Sequence, residues 1–325
     1  MMAKKIISPT VLVTGSTGFI GCALVKRLAI ENFPIIATMR NHINLPFDKK
    51  VNVINSGNLT HTHEWQKILE SVNVVVHLAS RVHAMKDRSK DQLAEYRNVN
   101  VVASINLARQ AAQAGVRRFI YLSTIKVNGE FTRPGCPFTA DDLPMPKGPY
   151  AISKYEAELG LRKIALETGM EVVIIRPPLV YGPGVKANFL NMMHWLSKSI
   201  PMPFGAINNR RSLVALDNLV DLIVTCINHP SAADEVFLVS DGEDLSTKDL
   251  MYRMGNALGK PVRLISVPVS LLYFFATLLG HHTVVERLCS SLQVDISKTC
   301  MLLKWSPVVG VDEGLRSAAQ GFRTK

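Results

Sequence analysis

The chain has 325 residues, 47% hydrophobic and 19% charged, which excludes bulk disorder and suffices for two compact units or one large α/β unit. Lys and Arg together number 37 against 26 Asp and Glu, and the net charge of +11 favours anionic partners without choosing among nucleic acid, a membrane surface and phosphorylated small molecules. The five cysteines are odd in number, far apart and form no C-x-x-C pair, which excludes a disulfide framework or a zinc site as the organising element.

In chain order, the start Lys4-Lys-Ile-Ile-Ser-Pro9 lacks the apolar core of a signal peptide, so a cytoplasmic protein is expected. β-branched runs at 10–14, 35–39, 51–54, 74–78, 119–122 and 172–175 predict strands. Amphipathic stretches at 19–30, 91–114, 150–168 and 187–197 predict the helices between them. This alternation implies an α/β fold, a doubly wound parallel sheet with helices on both faces and right-handed crossovers. After Arg176, prolines 177, 178, 183, 201 and 203 cluster among glycines and mark a second, smaller mixed α/β lobe. The apolar run 271–279 is shorter than the ~20 residues of a membrane span and is predicted to be a buried helix.

Between the first strand and the first helix lies Val11-Leu-Val-Thr-Gly-Ser-Thr-Gly-Phe-Ile-Gly21. One glycine permits a tight turn, one lets backbone approach a pyrophosphate, and one lets the helix pack on the sheet, while free N–H groups at the helix start face the anion. Glycine spacing alone is weak, but the strand-loop-helix context makes it a dinucleotide signature. Residues 1–178 therefore read as a Rossmann-type dinucleotide-binding domain, to which 211–240 returns, with 179–325 mainly a substrate lobe. The second strand ends at Arg40, in the slot where an acid ordinarily binds the ribose 2′-hydroxyl. A guanidinium there suits a 2′-phosphate, so NADP(H) is favoured, with NAD(H) as the alternative.

A second motif, Tyr150-Ala-Ile-Ser-Lys154, opens a helix. The spacing puts both side chains on one face, where the ammonium is expected to stabilise a phenolate and lower the tyrosine pKa from about 10. A third member is expected from a strand end, where Tyr121-Leu-Ser-Thr124 supplies two hydroxyls.

Together these residues resemble the extended short-chain dehydrogenase/reductases, NAD(P)-dependent epimerases, dehydratases and reductases acting on nucleotide sugars. The likeness covers nearly the whole chain and includes His77-Leu-Ala-Ser80, Asn100, Arg176-Pro-Pro-Leu-Val-Tyr-Gly-Pro183, Asn188-Phe189 and Arg211-Ser-Leu-Val-Ala-Leu-Asp-Asn218. It implies a catalytic trio in which Thr124 hydrogen-bonds the sugar C4 oxygen, Tyr150 exchanges the proton there and Lys154 holds the nicotinamide ribose. It also implies cofactor contacts from Gly15, Thr17, Gly18, Phe19, Ile20, Gly21 and Arg40. Asn58 and Leu59 would lie near adenine, Leu78, Ala79 and Ser80 along the cofactor with Asn100, and Pro177 by the nicotinamide. Asn188 and Arg211 match positions that hold a sugar nucleotide's diphosphate, and Arg287 is a looser match. A UDP-sugar substrate, a homodimer and no metal are implied.

Departures from the family pattern narrow the reaction. The 4,6-dehydratases carry an Asp-Glu pair after the threonine; here Ile125-Lys126 follows Thr124, so elimination lacks its proton carriers. Two chemistries remain, both exchanging a hydride at sugar C4. Arg40 tilts the reading towards an NADPH-dependent reductase, and the runs 123–130, 184–189 and 208–213 resemble a bacterial surface-polysaccharide subgroup, which implies reduction of a UDP-2-acetamido-2,6-dideoxy-4-hexulose. The alternative is a UDP-glucose/UDP-GlcNAc 4-epimerase with tightly bound NAD. A catalytically silent redox-sensing or RNA-binding relative is a rival that the intact trio argues against, so no nucleic-acid partner is expected, and a membrane role for 271–279 is a third reading. His61, His63 and His281-His282 read as solvated residues, His83 and Lys126 equally well as lining for a sugar pocket or as exposed polar groups, and Met192 and Met193 beside Trp195 as helix packing.

Overall fold

The computed structural model describes residues 8–40, 50–82, 91–133, 135–280 and 282–323. Its strands are β1 (Val11–Thr14), β2 (Ile35–Met39), β3 (Val51–Asn55), β4 (Val74–His77), β5 (Arg118–Leu122), β6 (Glu171–Arg176), β7 (Leu179–Tyr181), β8 (Arg211–Ala215), β9 (Val236–Leu238) and β10 (Asp244–Leu245). The large sheet runs β3-β2-β1-β4-β5-β6-β9, with every neighbouring pair parallel. This is the expected doubly wound Rossmann-type arrangement. Strand alternation explains why it is covered on both faces. Val11, Val13, Val74, Val76 and Ile120 enter one core, and Leu12, Val75, Phe119 and Tyr121 enter the other. The order of strands reverses between β1 and β4, which opens a crevice at their carboxyl ends.

A second sheet, β10-β8-β7, pairs β7 with β8 in parallel and β10 with β8 antiparallel. Helices Ala187–Ser197, Thr247–Leu258 and Val311–Arg323 close a separate core over it, built on Tyr181, Met193, Leu213, Met254 and Leu315. Met192 and Met193 are packed here as expected, while Trp195 on the same helix is 46% exposed. The chain then returns to the large sheet through helix Leu216–Asn228 and β9.

Two sequence expectations need correction. The helix predicted over 91–114 is broken into Gln92–Arg97, a π-helical turn Asn98–Val102 and Ala103–Gln113, because Asn100 is drawn towards a neighbouring loop. The run 271–279 forms a helix, Val269–Leu278, but not a buried one. Only Leu272 and Ala276 of that helix are buried, whereas Leu271, Phe274, Phe275, Leu278 and the following Leu279 are 43%, 63%, 50%, 74% and 68% exposed. It lies at the edge of the second lobe, packed on helix His282–Cys289, so hydrophobicity alone does not place it inside. No helix among the described residues is long and apolar enough to cross a membrane. The five cysteines are free.

One buried ion pair ties the helix after β5 to β6. Arg176, at the end of β6, donates through Nε and Nη2 to Glu158 on helix Gly148–Thr168 at 3.0 and 2.5 Å, and through Nη1 to Asn128 at 3.0 Å. The two side chains are 3% and 1% exposed, so each depends on the other for its compensation. Glu158→Ala should leave a buried guanidinium unpaired and lower the unfolding free energy by about 3–5 kcal/mol. A loss in urea denaturation of under about 1 kcal/mol, the range of exposed pairs, would contradict this account.

Candidate functional site

The crevice begins where β1 turns into its helix. Gly15 has φ +70°, and a Cβ there would stand 2.7 Å from the Ala79 amide nitrogen, so the loops after β1 and β4 touch at a point where only glycine fits. At Gly21, inside helix Phe19–Ile30, a Cβ would lie 2.2 Å from the Gly15 carbonyl oxygen. The helix N-terminus has no side-chain cap and no acid in its first turn, so its amides remain available to an anion. These features fit the pyrophosphate of a dinucleotide.

A cavity of about 620 Å³ opens above this loop. Gly15, Thr17 and Gly18 form its floor, and Leu78, Ala79 and Ser80 after β4 form one wall. Arg40, Asn58 and Leu59 also line it. Phe19, Ile20 and Gly21 do not line it; they build the helix behind the loop. The residues missed by sequence reasoning include Thr38, His61, Arg81, Asn98 and Val102. No Asp or Glu is among the described lining residues. His61 thus belongs to the cavity rather than to a purely solvated face, and His63 instead packs on Trp65 with ring centroids 4.4 Å apart. No metal-ligating cluster occurs among the described residues. His83 and His281 lie outside the described residues.

Asn100 accounts for the π-helical turn. Its side-chain oxygen accepts from the Arg81 amide at 2.8 Å and from Ser80 Oγ at 3.0 Å, while its amide nitrogen donates to Ser153 Oγ at 3.0 Å. Ser153 Oγ in turn donates to the Tyr150 carbonyl at 2.8 Å. The cavity wall is thereby fastened to the helix that carries Tyr150 and Lys154. A regular helical turn would point residue 100 elsewhere.

Thr124, Tyr150 and Lys154 flank this wall rather than line the cavity itself. Lys154 Nζ donates to the Leu122 carbonyl at 2.7 Å and stands 4.4 Å from the centre of the Tyr121 ring. Burial lowers its pKa to about 7, against the opposing pull of Glu158. Tyr150 meets Tyr96 edge-on, with centroids 6.0 Å apart. Here the expected depression of the phenol pKa is corrected: burial raises it, and Tyr96 raises it further. Of the two hydroxyls at the strand end, Ser123 Oγ is spent on Glu158. Thr124 Oγ1 is left with one weak contact, accepting from the Lys126 amide at 3.4 Å. The Pro177 carbonyl accepts from Ile125 N at 2.9 Å and so pins the turn that carries Thr124.

A cationic group lies on the second-lobe side. Arg211 Nη1 donates to the carbonyls of Arg287 and Ser290 at 2.7 and 3.0 Å, so its guanidinium is held by the end of helix His282–Cys289. Burial lowers the Arg211 pKa, and the Arg287 charge lowers it further. Lys126 joins them, since its pKa falls through burial and through both arginines, against Glu130. Of the two sequence readings of Lys126, the isolated exposed group is the one this does not fit. Asn188 is exposed in the first turn of helix Ala187–Ser197.

The model of the NAD dependent epimerase/dehydratase family matches residues 11–240. The chain belongs to that family. A Vibrio cholerae UDP-glucose 4-epimerase is 46% identical over 96% of this chain and 95% of its own. An Escherichia coli dTDP-4-dehydro-6-deoxyglucose reductase is 23% identical over 97% and 98%. The structure of a UDP-glucuronic acid 4-epimerase from Bacillus cereus in complex with NAD superposes with a TM-score of 0.78 over 97% of this chain and 99% of the other, at 21% identity, which establishes the shared fold. This family member is thus an enzyme of the nucleotide-sugar epimerase and reductase type.

His77, in the family resemblance a loop marker, is buried inside the sheet. Its Nδ1 shares a 2.7 Å hydrogen bond with Thr14 Oγ1 and its Nε2 a 2.9 Å bond with Ser104 Oγ. Burial, assisted by the Lys154 charge, lowers its pKa from 6.5 to about 3. The unfolded chain therefore takes up this proton first as pH falls. Stability from the neutral ring is complete above the unfolded pKa of about 6.5 and is lost towards pH 3, at about 1.4 kcal/mol per pH unit. Urea unfolding should weaken between about pH 6 and 4, with a shallower slope in His77→Gln. An imidazole titrating near its ordinary pKa by NMR in the folded protein would contradict this.

Proposed function

We propose that this enzyme is a UDP-sugar 4-epimerase working with NAD. The observation that carries the reading is the 46% identity to the Vibrio cholerae UDP-glucose 4-epimerase over nearly the full length of both chains. It moves the balance from 4-reduction, the first expectation from sequence, to 4-epimerisation.

The glycine loop and the uncapped helix start would hold the pyrophosphate, and the Arg40 end of the cavity the adenosine ribose. When bound, the nicotinamide supplies reversible hydride acceptance at sugar C4. Tyr150 exchanges the proton of the C4 oxygen, taking it as the alcohol becomes a ketone and returning it when the alcohol re-forms. Thr124 Oγ1 hydrogen-bonds that oxygen and fixes its distance from the phenol. Lys154 orients the ribose and, when charged, favours the phenolate against the burial that raises the Tyr150 pKa. Arg211 and Arg287 hold the diphosphate of the UDP-sugar, with Asn188 beside them.

A second reading, NADPH-dependent reduction of a UDP-2-acetamido-2,6-dideoxy-4-hexulose, is favoured by Arg40 in a cavity with no carboxylate among its described lining residues. Burial also keeps Tyr150 a phenol at neutral pH, the form a reductase needs as proton donor. Cofactor identity separates the two. Denaturing the purified enzyme should release NAD, and the native enzyme should interconvert UDP-glucose and UDP-galactose without added cofactor. Release of no nucleotide, with consumption of NADPH at 340 nm on addition of the 4-keto sugar, would instead establish the reductase.

Tyr150→Phe should lower kcat by about 10²–10⁴ and leave dinucleotide binding intact. Turnover near the wild-type value would remove the phenol from the mechanism. Arg40→Asp should shift affinity away from NADPH and towards NADH, measured by fluorescence titration. Equal loss of both would show that Arg40 does not face the ribose.

A further inference from the structure

The turn that carries Thr124 holds a cation that the chemistry above leaves unused. Lys126 lies in the single turn Ile125–Val127, and its amide donates to Thr124 Oγ1 at 3.4 Å, so it sits directly beside the hydroxyl assigned to the C4 oxygen. Ile125 and Val127 are buried on either side of it, and Met145 N donates to the Val127 carbonyl at 2.9 Å, which fixes the backbone there. The Lys126 side chain is 30% exposed, and its ammonium stands 3.6 Å from Glu130 Oε1. A pair that long between partly exposed groups contributes little, so Glu130 alone does not account for a lysine kept under cover.

The second lobe brings further cations to the same place. Thr132, two residues beyond Glu130, donates through its amide to the Ser291 carbonyl at 2.8 Å, and Gln293 N donates to Thr132 Oγ1 at 3.1 Å. One residue before that junction, the Ser290 carbonyl accepts from Arg211 Nη1 at 3.0 Å, and the Arg287 carbonyl accepts from the same nitrogen at 2.7 Å. The segment 287–293 therefore joins the turn of Lys126 to Arg211. After burial, which lowers the Lys126 pKa, and Glu130, which opposes it, the charges of Arg287 and Arg211 both bear on the ammonium. Glu286, next to Arg287 in the chain, acts on Tyr273 instead. Cations gathered in this way repel one another, and an anion seated among them relieves the repulsion.

The order of the groups selects which part of the anion Lys126 meets. Thr124 marks the reacting end of the site and the two arginines its nucleotide end, and Lys126 is attached to the first while it feels the second. In a sugar nucleotide the β-phosphate, the one bonded to the sugar, occupies that interval. We propose that Lys126 is a substrate-binding residue whose ammonium contacts the β-phosphate of the UDP-sugar, between Thr124 and the pair Arg211 and Arg287. This rests on the sugar-nucleotide reading of the site and is independent of which C4 chemistry follows.

Calorimetric titration of the cofactor-loaded enzyme with UDP and with UMP tests it, because UMP lacks the β-phosphate. Lys126→Met should weaken UDP binding about tenfold and UMP binding less than about twofold. Lys126→Arg keeps the cation and should stay within about threefold of wild type for UDP. UDP affinity within about twofold of wild type in Lys126→Met overturns the role of Lys126. An equal loss for UDP and UMP overturns it too, since the cation would then act on the site as a whole rather than on the β-phosphate. A wild-type enzyme that binds neither nucleotide overturns the sugar-nucleotide reading, and the proposal with it.

Discussion

The site depends on where the Glu158 carboxylate is held. Glu158 is buried on the same helix face as Tyr150 and Lys154, and it binds Arg176 from β6 and Ser123 from the end of β5. Arg176 reaches on to Asn128. One carboxylate therefore fixes the helix against two strands and the turn after β5 in which Thr124 sits. Desolvating such a pair is unfavourable unless every lone pair and proton is matched, and the matching is what makes the geometry specific. Lys154 is felt by the same carboxylate, which opposes the burial that draws its pKa down.

Asn100 and the glycine loop impose the corresponding constraint on the other half. The loops after β1 and β4 approach so closely at Gly15 and Ala79 that a side chain at position 15 would collide with backbone. Asn100 then binds the outer part of the β4 loop to Ser153 on the Tyr150 helix. The cradle for a dinucleotide and the helix bearing the candidate proton donor are thus parts of one hydrogen-bonded body. Displacement of either would be transmitted to the other.

β9 (Val236–Leu238) went unread, but the other six strands of the large sheet were legible in the sequence as short apolar runs, with glycines 15, 18 and 21 between a strand and a helix. The π-helical turn was not, since Val99-Asn-Val101 has the same periodicity as ordinary helix and only the contact with Arg81 reveals why it bulges. Lys126 was left between two readings for a similar reason: Arg211 and Arg287, whose charges it feels, are far away in sequence. The helix at 269–278 shows the reverse error. Hydrophobic content measures a tendency to leave water, and the fold determines whether protein or something else supplies the shelter.

Tyr150 shows how these constraints bear on chemistry. Spacing of four residues places Lys154 on the correct face, but the ammonium is turned to the Leu122 carbonyl and the Tyr121 ring. Burial therefore dominates the phenol and raises its pKa. The rise comes from burial and from Tyr96, and the Lys154 charge does not offset it. A carbonyl at C4 would find the donor already protonated, whereas an alcohol would need the phenolate first. On the proposed function, the two directions of C4 redox chemistry thus make opposite demands on the same residue.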